Sequence, residues 1–156
     1  MVITLTQETI YAIVKRSLSI IGKRSVDNEG NPLFQDITLG TNETSLVNDY
    51  IDNAITDLAV EMSDFVTAST DTSITITMPG NHKAALESFI QKACTQYCVS
   101  YTLFSWFTIT APKLSEKYLA DANRQRASVV NFVYNKQEPA AGATSYSDVN
   151  GTVTNT

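Results

Sequence analysis

The sequence has few of the residues on which enzyme and metal sites usually depend. Its 156 residues include only one histidine and two cysteines. It has no glycine-rich phosphate loop, no nucleophile elbow and no paired-cysteine zinc motif. Cys94 and Cys98 are four residues apart, which places both on one helix face, where two thiolates alone do not complete a metal site. The sequence therefore predicts two reduced core thiols and no enzyme, metal or cofactor.

Basic residues are missing from a long part of the chain. The net charge is −5, and the stretch from Ser25 to His82 has no Lys or Arg but ten of the sixteen acidic residues. The balance reverses from Lys83 to Lys136, with seven basic and three acidic residues. A binder of nucleic-acid phosphates normally carries a clustered basic surface, so this class is disfavoured. The segregation is consistent with random drift on a solvated surface, or with acid–base contacts within one subunit or between subunits.

No charged residue occurs between Lys92 and Lys113. The uncharged window 93–112 is about as long as a membrane span, but seven of its residues are polar and Pro112 ends it. The apolar residues from Ala84 to Phe107 begin as a one-sided stripe and then surround the helix axis. This pattern predicts a buried central helix, covered by other helices, and no membrane contact. The N-terminus also lacks a secretory signal pattern, so we expect a protein that is used without secretion.

Three further helices follow from periodicity and capping signals. The first is predicted over residues 6–21, with Thr6 as its N-cap and Gly22 at its end. The second starts at Asn42, Thr44 or Ser45. The last begins at Thr110 and Pro112. The predicted fold is mainly α, a four-helix bundle with a small β-strand or hairpin element.

The β element is predicted at Ser73–Met78, where polar and apolar residues alternate strictly. Ile74 and Ile76 share one face of this strand. The preceding residues, 67–72, have the composition of a turn. Since one strand cannot form a sheet alone, its partner is expected to be residues 33–39, the C-terminal tail or another chain. Ile74 and Ile76 are therefore candidate interface residues.

The second helix carries a row of carboxylates opposite its apolar stripe, and this row predicts a solvated face rather than acid–base chemistry. Arg126 interrupts the apolar stripe of the last helix. Its stem either snorkels to water or the guanidinium pairs with helix 2, where Asp57 and Glu61 are best placed. Such a pair is possible within one subunit or between two. Asp57, Glu61 and Arg126 are accordingly candidate interface residues.

The last twenty residues, 137–156, contain small and polar residues and no helical stripe. This composition leaves too little apolar surface to offset the cost of ordering. We therefore divide the chain into a helical domain, 1–136, and an extended C-terminal arm, 137–156. Tyr146 and Val149 are candidate anchors by which the arm adds a strand to an exposed sheet edge.

Three stretches carry a resemblance to a known family: the acidic helix VNDYIDNAITDLAVEM, the aromatic central helix CTQYCVSYTLFSW and the final FVYNKQEP. With a short first helix and a β excursion between them, they resemble the head-to-tail connector, or adaptor, proteins of tailed bacteriophages. The resemblance covers roughly residues 6–139 and depends on the order and length of elements. The Thr- and Asn-rich composition is similar to that of crAss-like phages of gut bacteria.

The resemblance implies a structural virion protein at the head–tail junction, made in the host cytoplasm. Twelve copies would form a homo-oligomeric ring beneath the portal protein and continue the DNA channel towards the tail or further connector rings. Acidic side chains on the channel wall would let DNA pass without specific binding. The alternative is a small helical regulatory or chaperone-like binding module, which mass in solution and behaviour with a portal would distinguish.

Overall fold

The computed structural model describes residues 2–24, 41–78 and 84–134. These residues form a mainly helical fold with a small antiparallel sheet, which is the predicted class. The elements, in chain order, are β1 (Val2–Thr6), α1 (Gln7–Arg24), α2 (Thr41–Glu61), β2 (Val66–Thr70), β3 (Ser73–Thr77), α3 (Glu87–Thr110) and α4 (Pro112–Val133), with a 3-10 turn at Ala84–Leu86 before α3.

Helix α3 is the buried centre of the bundle, as the uncharged sequence after Lys92 predicts. It packs most extensively against α4, with which it forms a helical hairpin through Ala111, and next against α2. The Phe107 and Tyr118 rings stack 5.4 Å apart at one end of the hairpin, and the Phe89 and Phe132 rings lie 6.3 Å apart at the other. Pro112 occupies the first turn of α4, as expected. Helix α3 ends three residues later than predicted, at Thr110.

The sheet has the strand order β1-β3-β2, with both pairs antiparallel. In the register, Ile3 lies opposite Ile76 and Leu5 opposite Ile74. These four side chains are at most 4% exposed, so one face of the sheet packs on the helices. The predicted strand therefore exists, but the expected partners were wrong. Its partners are β1 and β2, and because β3 is the central strand, it offers no free edge.

Neither outer strand was predicted. In β1, Ile3 and Leu5 alternate with exposed positions, but the pattern is only five residues long. Strand β2 occupies most of the stretch expected to be a turn, and the actual turn is only Asp71–Thr72. Since β2 is exposed along almost all of its length, no buried side chains mark it as a strand.

The helix starts follow from local hydrogen bonding. The Thr9 N–H donates to Thr6 Oγ1 at 3.3 Å, which confirms the expected cap of α1. The helix continues through Gly22 to Arg24, beyond the predicted end. Helix α2 begins at Thr41, so Asn42, Thr44 and Ser45 lie inside its first turns rather than at its cap.

Candidate functional site

The main cluster of polar contacts lies along α2, where three carboxylates each accept hydrogen bonds from another element. Asp52 accepts from Gln7 Nε2 at 2.7 and 2.8 Å, through both carboxylate oxygens. Asp57 accepts from the Tyr97 hydroxyl of α3. Glu61 accepts from Arg126 of α4, with Nη2 at 2.5 Å and Nε at 3.2 Å from Oε2. These carboxylates therefore connect α2 to α1, α3 and α4 rather than only facing solvent.

The bond between Tyr97 and Asp57 is the most buried of these contacts. Tyr97 is only 2% exposed. Its burial, and next its hydrogen bond to the Asp57 carboxylate, raise the pKa of the Tyr97 phenol well above its ordinary value near 10. The phenol therefore stays protonated and remains a donor. Sequence analysis placed Tyr97 in an apolar stripe and gave no sign of this partner, which lies forty residues earlier.

The ion pair between Arg126 and Glu61 confirms the predicted contact of Arg126 with α2. Both residues of this pair belong to the same chain. The hydrogen bonds that Arg126 donates to Glu61 are the main cause that raises the pKa of Arg126. The two side chains are 45% and 28% exposed, so solvent screens their attraction. A pair of this kind contributes about 0.2–1 kcal/mol. Of the two alternatives for Arg126, the structure therefore has the ion pair with α2.

The contact between Gln7 and Asp52 ties the start of α1 to the middle of α2. Burial raises the pKa of Asp52, the hydrogen bond from Gln7 lowers it, and the charges of Asp49 and Asp71 raise it again. The net direction is upward. Sequence analysis missed this role of Gln7, because a first-turn glutamine gives no indication of a partner in a distant helix.

Ile74 and Ile76, the other candidate interface residues that the structure describes, do not lie in this cluster. Ile74 and Ile76 lie in the central strand and are 1% and 0% exposed, so their side chains belong to the core. They are not edge residues in this fold. Tyr146 and Val149 lie outside the described residues, as does the stretch 33–39.

Both cysteines are free and buried, as the sequence indicated. The Cys94 thiol donates to Met62 Sδ at 4.0 Å, between α3 and the end of α2. Burial raises the pKa of Cys94 from 9.0 to about 12. Burial, followed by the neighbouring Cys94, also raises the pKa of Cys98. Because the thiolate is the reactive form, neither residue has the features of a catalytic or redox-active cysteine.

Within residues 2–24, 41–78 and 84–134, no group of three His, Cys, Asp or Glu side chains could hold a metal ion. Over the same ranges, no helix has the length and apolar character required to cross a bilayer. The polar contacts of α2 are therefore the best-defined cluster. They are hydrogen bonds and an ion pair that join α2 to the neighbouring helices.

Comparison of the chain with family models, curated proteins and solved structures gave no match in any of the three.

Proposed function

We propose that this chain is a structural subunit of the head-to-tail connector, or adaptor, of a tailed bacteriophage. The observation that carries the proposal is the order of elements: an acidic helix, a β hairpin, a long aromatic helix and a closing helix. This order accompanies the sequence resemblance of α2, α3 and the end of α4 to connector proteins. In the proposed assembly, twelve copies form a ring beneath the portal protein and meet the tail or a further connector ring on the other side.

The charge distribution supports a passive DNA channel in this proposal. Asp52, Asp57 and Glu61 are engaged inside the chain, whereas Asp49, Asp64 and Asp71 are exposed. Exposed carboxylates on a channel wall would repel the DNA backbone and let it slide. Such a ring requires no catalytic residue, metal or cofactor. Its location would be the virion, at the junction of head and tail.

The C-terminal arm, residues 137–156, is the proposed contact with neighbouring components. Its composition predicts ordering only on a partner. The sheet has two outer strands, β1 and β2, whose outer edges pair with no other strand of the described residues. The proposed binding edges for the arm are therefore the outer edges of β1 and β2, and not residues 74–76 of the central strand. Tyr146 and Val149 would anchor the added strand there.

The test is the mass of the purified chain, measured by native mass spectrometry alone and with the portal protein encoded in the same genome. We expect a closed ring with a mass of twelve 17.1-kDa chains, alone or on the portal. A chain that remains monomeric and does not bind the portal would contradict the proposal.

The second candidate is a small helical binding module of the regulatory or chaperone-like kind. Two large side chains at one end of the α3–α4 hairpin favour it, since Phe89 and Tyr134 are 56% and 51% exposed. Exposed aromatic residues at one end of a bundle are a typical protein-binding surface. A monomer or dimer that captures an unrelated partner would support this function over the ring.

A further inference from the structure

Strand β1 presents a regular, uncharged edge that no other strand of the described residues pairs with. On its inner side it pairs with β3 in an unbroken register, and it contains no proline, glycine or charged residue. Natural proteins usually protect an edge strand with a charge, a proline or a bulge. An edge without these features is a template on which a further strand can pair.

The other outer strand, β2, has one of these protective features. Its pairing with β3 is interrupted between Val66 and Ala68, where the register shifts. A bulge increases the local twist and disturbs the even spacing of the free N–H and C=O groups. Of the two outer edges, the edge of β1 is therefore better suited to pair with a long, regular strand.

The hydrogen bonds of the sheet determine which backbone groups of β1 point outwards. The Gln7 N–H donates to the Thr72 carbonyl at 2.9 Å, and this bond continues the register of β1 with β3. In an antiparallel ladder, every second residue directs both of its backbone groups to the same neighbour. The odd-numbered residues of β1 therefore bond to β3, as Gln7 does. The even-numbered residues direct their groups to the free edge, and they are Val2, Thr4 and Thr6.

The sequence of β1, Val-Ile-Thr-Leu-Thr, is self-complementary about Thr4. A second copy of the strand can run antiparallel to the first, with Thr4 opposite Thr4. Ile3 of each copy then lies opposite Leu5 of the other on the core face, and both are apolar. Val2, which is 64% exposed, lies opposite Thr6 on the outer face, and both are β-branched. Such cross-strand pairs stabilise a sheet, and a shift by one residue would lose both of them.

We propose that two copies of this chain associate through β1, edge to edge and antiparallel, so that their two sheets become one continuous sheet. Thr4 of each copy donates to and accepts from Thr4 of the other, and the Thr6 N–H donates to the Val2 carbonyl. The Thr6 carbonyl is not required, since an N-cap carbonyl accepts the first bond of its own helix. Because β1 has no charged residue, the pairing places no like charges opposite each other.

This contact is two-fold symmetric, because the same strand contributes to both sides. A two-fold contact joins two copies, or two larger assemblies, but it does not close a ring of twelve. The proposal therefore does not depend on the connector function.

The first test is Thr4→Pro in the full chain. This change removes an N–H that points to the free edge and leaves the bonds from β1 to β3 in place. The matched control is Ser69→Pro in β2, since Ser69 lies opposite Ile74, whose backbone groups face β1, so the Ser69 N–H also points outwards. Native mass spectrometry and sedimentation at micromolar concentration give the masses, and circular dichroism verifies that each variant folds.

We expect the wild type and Ser69→Pro to have twice the mass of Thr4→Pro. For single chains this means two 17.1-kDa chains against one, and for rings it means two rings against one. The dissociation constant of the pair should rise at least about tenfold in Thr4→Pro, because both bonds between the Thr4 residues are lost.

The second test is cross-linking at the same position, which reports the register. In a Thr4→Cys variant the two new thiols lie opposite each other, so a short bismaleimide should link two chains. Cys94 and Cys98 are buried and should not react. Ser69→Cys is the control, and it should give far less of the linked product.

A wild type with the mass of one chain would overturn the proposal, as would a wild-type mass that Thr4→Pro leaves unchanged. A ring of twelve copies with the same mass in both would overturn this proposal and leave the connector proposal standing. An equal loss of pairing in Ser69→Pro would also overturn it, because the sheet as a whole would then be responsible. If Thr4→Pro does not fold, the absence of Thr4→Cys cross-links overturns the proposal. Halving of the mass by Thr4→Pro alone, with cross-links from Thr4→Cys, supports it.

Discussion

Helix α3 and the β2–β3 hairpin both form hydrogen bonds through side-chain hydroxyls. In α3 some of these hydroxyls are buried, whereas in the hairpin they are exposed to solvent. In the bundle, the Thr102 hydroxyl is fully buried and donates to the Cys98 carbonyl, and Tyr97 donates to Asp57. In the hairpin, Thr67 and Thr77 share a hydrogen bond at the surface, 3.0 Å long. Losing a buried partner leaves an unsatisfied group, whereas water replaces a lost surface partner. We therefore expect the stability of the chain to depend on the bundle far more than on the hairpin.

The largest effect is expected from removing an aromatic ring at the centre of the bundle. Phe107 is 1% exposed and stacks on Tyr118. Phe107→Ala should lower the free energy of unfolding by about 3–5 kcal/mol, because it leaves a cavity. Phe89→Ala is the matched control, since Phe89 is on the same helix but 56% exposed, and it should cost about 1 kcal/mol or less. Urea unfolding measures both, and equal costs would contradict the comparison.

The next effect concerns the buried hydroxyl of Tyr97. Tyr97→Phe leaves the Asp57 carboxylate without its donor and should cost about 1–3 kcal/mol. Tyr11→Phe is the control, because the Tyr11 hydroxyl is 3.4 Å from Thr44 Oγ1 at a half-buried position, and its removal should cost less. If the two variants unfold at the same urea concentration, the bond to Asp57 has no special role.

The pH dependence sharpens the same comparison. The pKa of Tyr97 is higher in the folded chain than the unfolded value near 10, so the unfolded chain loses this proton first as the pH rises. The contribution of Tyr97 is complete below pH about 10 and falls as the pH rises further. The free energy of unfolding should consequently fall more steeply in alkali for the wild type than for Tyr97→Phe.

These contacts show which part of the molecule could be predicted from the sequence. The helices could be predicted, because their apolar stripes repeat over many turns. The contact of Arg126 with α2 could also be predicted, because Arg126 interrupts an apolar stripe and α2 carries an acidic face. Strand β2 could not, since it buries almost nothing and its sequence matches that of a turn. The partners of Tyr97 and Gln7 could not, because each pairing depends on how distant helices pack.

The third prediction concerns the buried thiols. Cys94→Ser or Cys98→Ser places a more polar group in the core and should cost about 1–3 kcal/mol. Because the pKa of Cys94 is about 12 in the folded chain, its stabilising contribution is complete below the unfolded pKa near 9 and is lost towards pH 12. In the folded chain at neutral pH, both thiols should react slowly with a thiol reagent. Rapid labelling would disprove their burial.

A smaller effect is expected at the exposed pair of Arg126 and Glu61. Arg126→Met should cost about 0.2–1 kcal/mol, and a double-mutant cycle with Glu61→Gln should assign most of it to the pair. High salt should reduce the coupling. Arg124→Met, at the more exposed pair with Asp121, is the control and should cost less. Because the pair lies within one chain, the oligomeric mass should not change, and a smaller assembly would contradict this assignment.

The smallest effect on stability is expected from truncation after Lys136. Every core residue of the described part of the chain lies before this point, so helicity and melting temperature should be nearly unchanged. Incorporation into the assembled particle should decrease, because the arm, residues 137–156, is the proposed contact with neighbours. Circular dichroism and a co-assembly assay measure the two properties. The arm hypothesis fails if the truncated chain does not fold, or if it assembles as well as the full chain.

The most direct test of the central proposal, that this chain is a connector subunit, is electron microscopy of the purified protein, alone and mixed with the portal protein encoded in the same genome. Class averages should show a closed ring of twelve copies around an open channel, coaxial with the portal. Particles the size of a single chain or a dimer, with no density added to the portal, would contradict the connector function.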